Sequence, residues 1–237
     1  MPARALPGLQ RALDRFTGGP KAADAVRVAG GLIAAGHDVA LEHHPPGATG
    51  ALTVLVAKLA AEGLSARCEI AVPVDALGPA APTLAARLLD SGVGVALDGA
   101  AEPVDALADR LPAVTVVVRA DEAGAEERCR ALGDRRVRLV AGRRAASELA
   151  FVRCLNVLMS GSGRPAVATT DRRLVAIAGE RAAWFDRSAD HWEHVMPLGV
   201  RTDEQRRLVA AGYRVRVSVP WGPVAPAAVL RQLGGRS

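Results

Sequence analysis

The chain has 237 residues, 50% hydrophobic and 23% charged, with 30 Lys plus Arg against 25 Asp plus Glu and a net charge of +5. That apolar share can fill a sizeable core, which excludes wholesale disorder, and the scattered arginines with 3% aromatics exclude the clustered basic, stacking surface of a nucleic-acid binder. No stretch reaches the roughly 18 uncharged apolar residues of a membrane span, and no apolar segment follows Arg4 in Met1–Gly8, so the reading is of a cytoplasmic protein with no transmembrane segment.

Apolar, β-branched runs recur along the chain with helical segments between them, the pattern of βαβ units on a parallel sheet. The predicted strands are Asp38–His44, Arg67–Val74, Gly92–Asp98, Ala113–Arg119, Arg136–Ala141, Pro165–Thr170, His191–Met196 and Arg214–Pro220. The seventh is the weakest, being short and charged. Between the fifth and sixth, Leu149, Val152, Leu155 and Leu158 recur at helical spacing, as do Leu174, Ile177 and Ala178 between the sixth and seventh. Gly161-Ser-Gly163 reads as a turn on the face opposite the strand ends. Thr202 with Gln205 three residues on reads as a capping box opening a helix Asp203–Ala211, which Gly212 stops. Eight such units predict a single (β/α)8 barrel over 1–237, a doubly wound open sheet being the alternative, since periodicity does not reveal closure. Cys68, Cys129 and Cys154 are distant from one another and lack CxxC spacing, so they are read as reduced core thiols.

In a barrel, chemistry sits at the carboxyl ends of the strands. There the sequence offers Glu42, His43 and His44; Pro73 and Asp75; Asp98; Arg119 and Asp121; Gly142 to Arg144; Thr169 to Asp171; Glu193, His194 and Met196; and Pro220 to Gly222. Adjacent residues of a strand face opposite sides, so His43 and His44 cannot both point inward, and no metal set is assigned. Asp98 reads equally well as an inward carboxylate and as a helix N-cap. No GxSxG, P-loop or GxGxxG follows a strand.

Phe151-Val-Arg-Cys-Leu-Asn-Val-Leu-Met159 and Arg164-Pro-Ala-Val-Ala-Thr-Thr-Asp171 resemble the fifth helix and sixth strand of the proline dehydrogenase family. Leu198-Gly-Val-Arg201, Asp203-Glu-Gln-Arg-Arg-Leu208 and Gly212-Tyr-Arg-Val-Arg-Val-Ser-Val-Pro-Trp-Gly222 resemble its later segments, in order and at comparable spacing. Upstream, Asp38-Val-Ala-Leu-Glu42, Val74-Asp-Ala-Leu-Gly78, Val95-Ala-Leu-Asp98 and Arg136-Val-Arg-Leu-Val140 are similar to successive family strands. The resemblance implies a (β/α)8 barrel that binds FAD at its carboxyl face and oxidises L-proline to pyrroline-5-carboxylate, with a quinone as electron acceptor. It places Arg138, Val140, Gly142 and Thr169 at the cofactor, and Asp98 and Arg231 at the substrate, with Arg138, Thr169 and Asp98 meeting at one rim.

Several family positions carry other residues here. The substrate-contacting lysine of the second strand is Pro73, and the lysine of the family's fifth-strand RLVKGAY motif is Ala141. The flavin-contacting glutamine is Arg119, the histidine after the sixth strand is Thr170, and the last-strand tyrosine is Ser218. Gln232 stands beside Arg231 where the family has a second arginine. Two readings follow: a flavin-dependent proline oxidase, or a barrel that binds a small molecule or a partner without oxidising proline. Arg143 and Arg144 would make the rim basic and suit an anionic ligand.

Overall fold

A computed structural model describes residues 15–142 and 147–225. All eight predicted strands form: β1 (Asp38–His43), β2 (Cys68–Pro73), β3 (Gly94–Asp98), β4 (Thr115–Arg119), β5 (Arg136–Val140), β6 (Arg164–Ala168), β7 (Glu193–Pro197) and β8 (Val215–Trp221). They are parallel and close into a barrel in chain order, β8 returning to β1 with Asp38 beside Arg216 and Glu42 beside Pro220. The alternative of an open sheet is thereby excluded. Observed strands differ from the predicted ones by a residue or two at their ends, and the seventh lies two residues downstream of its predicted start, because residues 191 and 192 precede the first ladder pair at Glu193.

The period of two sorts each strand into two faces. Val39, Leu41, Ile70, Val95, Leu97, Val116, Val118, Leu139, Val217 and Val219 are buried in the layer between strands and helices, together with Phe151, Leu155, Leu158 and Trp221. Branched apolar residues there give the hydrophobic drive for wrapping helices around the sheet, roughly 25 cal/mol per Å2 of apolar surface removed from water. The other face lines the barrel axis and is unlike that layer. Its middle level holds small residues, Ala40, Ala71, Ala96 and Ala166, and the lower level holds Asp38, Glu69, Thr115, Glu193 and Arg216, all buried except the half-buried Ala71.

Helix boundaries follow local chemistry. Asp171 caps the helix Arg172–Trp184, its Oδ1 accepting from Arg173 N at 2.7 Å. The helix Thr202–Ala210 ends at Gly212 in the left-handed region (φ 84°), with Gly212 N donating to Val209 O and Tyr213 N to Leu208 O, both 3.0 Å, the double bond of a Schellman stop. Its start differs from the predicted capping box. Arg201, itself left-handed at φ 51°, occupies the cap with no side-chain bond, and Gln205 turns inward to donate to the Pro197 and Val200 carbonyls at 3.0 and 2.8 Å. A buried amide bonded to two loop carbonyls is worth more than one at an exposed helix end. In the helix Ser147–Ser160 the buried stripe is Phe151, Cys154, Leu155, Leu158 and Met159, and Leu149, predicted to face the core, is exposed in its first turn. Cys68, Cys129 and Cys154 are free and buried, as read from their spacing.

Candidate functional site

The carboxyl mouth gathers residues from several strand ends. Asp98 closes β3 and Arg119 closes β4. Arg119 Nη1 and Nη2 donate to Asp98 Oδ1 and Oδ2 at 2.7 and 2.8 Å, a two-pronged fork that uses both carboxylate oxygens. The bond it donates to Asp98 holds the guanidinium above its ordinary pKa. Asp98 is therefore an inward carboxylate. The capping role falls instead to Asp75, whose Oδ2 accepts from Ala100 N at 2.9 Å at the head of the helix Ala101–Arg110. Together with Pro46, Pro73, Glu122 and the β3 turn, these residues line an open pocket of about 500 Å3 over β2 to β4.

Glu42, from the end of β1, looks into the same mouth. Burial pushes its carboxyl above the ordinary glutamate range; Arg138 and Arg119 pull it down, while Asp98 and Glu69 add to the rise. One level below, Arg138 runs from β5 across the axis to β2, where Nη2 pairs with Glu69 Oε1. Thr115 Oγ1 donates to the other oxygen, Oε2, at 2.8 Å. Burial opposes ionisation of Glu69, but Arg138, Arg216 and Arg136 outweigh it and hold the carboxyl below its usual range. Arg216 in turn forks onto Glu193 at 2.8 and 3.1 Å. Asp38 takes Arg67 at 2.9 Å and Arg214 at 2.7 Å. The lower half of the barrel is thus filled by paired charges rather than by branched apolar side chains.

Of the positions that resemblance singles out, Asp98 and Thr169 stand at the mouth end of their strands. Arg138 lies mid-strand and 5% exposed, its guanidinium directed to Glu69. Val140 O accepts from Ala120 N at 3.0 Å, and Thr169 Oγ1 accepts from Asp171 N at 3.2 Å. Gly142 faces Asp121: a Cβ built on this glycine would lie 2.5 Å from Asp121 Cγ. Arg231, Gln232, Arg143 and Arg144 lie outside the described residues. Among the described residues no three His, Cys, Asp or Glu side chains are placed to hold a metal ion. His43 instead bonds Pro45 O through Nδ1 at 2.6 Å and lies edge-on to Trp221.

These residues do not fit the flavin that resemblance implies. The cation assigned to it is sunk into the floor against Glu69, the backbone approach at Gly142 is covered by the Asp121 carboxyl, and Arg119 stands bonded to Asp98 where a neutral amide is expected. Glu69 and the Arg119–Asp98 fork were not anticipated as site features, although charged residues at axis-facing positions of β2 and β4 were a usable signal.

A second hollow, of about 550 Å3, lies between the loops after β6 and β7, lined by Arg172, Arg201, Thr202, Asp203, Glu204 and Arg207. Of its charges, Arg207 donates to Glu204 at 2.6 Å, and Asp203 pairs with Arg206 at 3.4 Å.

No family model matches the chain. A stretch of 76 residues, 32% of the chain and 25% of the relative, is 32% identical to proline dehydrogenase 1 of Bacillus subtilis. The fold is similar to proline utilization A of Bdellovibrio bacteriovorus, solved after inactivation by N-propargylglycine, with a TM-score of 0.81 and 18% identity over 94% of this chain and 32% of that one. Proline utilization A of Bradyrhizobium japonicum superposes with a TM-score of 0.72 and 18% identity, over 96% of this chain and 31% of that one. That of Corynebacterium freiburgense gives 0.72 and 13% over the same shares. The chain thus spans about a third of the length of these structures. The fold is thus that of the proline utilization A barrels over nearly the whole chain, and over about a third of its length the sequence is similar to a proline dehydrogenase.

Proposed function

We propose that this barrel binds a small molecule at its carboxyl mouth without oxidising proline through a flavin. The observation that carries the reading is the Asp98–Arg119 fork. A carboxylate with both oxygens held by a guanidinium has little left for a substrate, and the guanidinium stands where a flavin-contacting amide is expected. Supporting it are Pro73 and Ala141, which offer no cation, and Thr170 and Ser218 in place of the histidine and tyrosine. Hydride transfer depends on holding the donor carbon against the acceptor, and small misplacements are costly in rate. The competing reading, FAD-dependent oxidation of L-proline with a quinone acceptor, draws on the sequence match and on the retained Asp98, Arg138 and Thr169.

The test is an absorption spectrum of the purified protein before and after added FAD, followed by proline-dependent dye reduction. The outcome anticipated is no bound-flavin band and no turnover. A flavin that copurifies or saturably binds, or proline-dependent reduction above a no-protein blank, would overturn the proposal.

A further inference from the structure

The Arg138–Glu69 pair spans the barrel from β5 to β2, and both side chains are buried, at 5% and 2% exposure. The surroundings are shaped for it. Ala40, Ala71, Ala96 and Ala166 leave the axis open at the level the arginine crosses. At Gly94, a Cβ would approach Glu69 Cβ and Cγ to 3.3 Å, so the missing side chain gives the glutamate room. Thr115 fixes the second carboxylate oxygen. Arg138 Nε has no hydrogen-bond partner among the described residues, where Glu69 is the side chain the guanidinium bonds. Glu42, one level higher in the mouth, lies within electrostatic reach of it. The cation therefore sits directly beneath the mouth, and a change in its partner would bring it there.

We infer that Glu69 decides which ligand charge the mouth accepts: by holding Arg138 in the floor, it withholds the cation that a small anion, carboxylate or phosphate, would need. Glu69 is a positioning residue, acting through Arg138. The inference rests on the reading that the mouth binds a small molecule without flavin, and it gives that molecule a charge class, neutral or cationic rather than anionic. Over β2 to β4 Arg119 is taken by Asp98, so neutralising Glu69 is the change that releases a buried cation there.

The probe is inorganic phosphate, titrated calorimetrically into the full chain at constant ionic strength with chloride as the control anion. Reference protein carries Glu42→Gln, so that the mouth's own carboxylate does not compete for a released guanidinium. Adding Glu69→Gln should tighten phosphate binding roughly tenfold or more, the ratio that one charge-assisted contact supplies, and adding Arg138→Met should abolish the gain. Equal affinity with and without Glu69→Gln, or a gain that survives Arg138→Met, overturns the inference. Should Glu69→Gln fail to fold, the unmodified protein still decides: its Arg138 guanidinium NMR signals should stay fixed as phosphate is added, and movement of those signals refutes the inference. Copurifying flavin would refute the reading beneath it, whatever phosphate does.

Discussion

At the start of β7, His194 is 2% exposed and lies edge-on to Trp192 at 4.5 Å and to Tyr213 at 5.9 Å. Its Nδ1 finds no hydrogen-bond partner among the described residues. Burial holds its pKa down to about 4. The unfolded chain, with an ordinary histidine near 6.5, then binds more protons than the folded one between those two values, so stability falls as the pH drops through that window and the loss levels off below about 4. The loss should approach about 3 kcal/mol. Urea unfolding at a series of pH values should show it, and His194→Phe should flatten the curve there. The depressed carboxyls of Asp38 and Glu69 act lower, their contribution disappearing as the pH falls from about 4 through their folded pKa values, so the two effects separate on the pH axis. The Asp98–Arg119 fork differs, its side chains being 36% and 39% exposed. Arg119→Gln should change stability by less than about 1 kcal/mol in the same unfolding measurement. A larger loss would mean that the fork supports the barrel and not only the mouth. Of these residues, Asp98 was legible in the sequence from its place at a strand end. Its partner was not, because nothing local says that residues 98 and 119 share a rim.

At the scale of elements, the helix Ser147–Ser160 ends on an arginine from the following helix-to-strand loop. Arg187 donates from Nε to Met159 O and from Nη1 to Gly163 O, both at 2.7 Å, from Nη2 to Leu158 O at 3.0 Å, and also to Gly161 O. These carbonyls include those a helix end leaves unpaired, and a cation at that pole suits the helix dipole. Arg187→Ala should cost roughly 2–4 kcal/mol in denaturant unfolding, since buried carbonyls lose a charged partner. Arg187→Lys should recover less than half, lacking the planar fork. Beside it, the turn Gly161-Ser-Gly163 packs on the preceding unit: a Cβ at Gly163 would lie 2.1 Å from Arg135 O, and Gly163 N donates to Gly133 O at 2.8 Å. Gly163→Ala must displace backbone, and a loss on the order of 1–3 kcal/mol is anticipated, read from the thermal midpoint. The turn itself was legible from its composition. Its need for glycine was not, because the obstructing carbonyls come from a different unit of the chain.

For the whole molecule, the distinctive feature is a barrel whose lower half is filled by ion pairs instead of aliphatic layers. Breaking one partner of a buried pair leaves an uncompensated charge, at roughly 3–5 kcal/mol, whereas replacing both by apolar groups of similar volume is often neutral or better. Arg138→Met and Glu69→Leu should each destabilise by about that amount, and the double variant should be far closer to the starting protein, a coupling readable from denaturant midpoints. Additive losses would show that the two charges are supported separately by the other axis-facing groups.

Alternation of β-branched runs with helical spacing was enough to count the strands and to sort each into an apolar outward face and an inward one, because burial against helices imposes a local period that a single strand carries in its own residues. The right-hand neighbour of each strand, the closure of β8 on β1, and the crossing of Arg138 from β5 to Glu69 on β2 are not local. They depend on which strands stand opposite across the axis once the sheet has closed, and a long side chain such as arginine can reach up to the mouth or down to the floor from the same backbone position. Only the tertiary structure chose the floor, because there a buried carboxylate and a hydroxyl were waiting to satisfy one another and the guanidinium, and an unpaired charge in the axis would have cost more than the mouth could return.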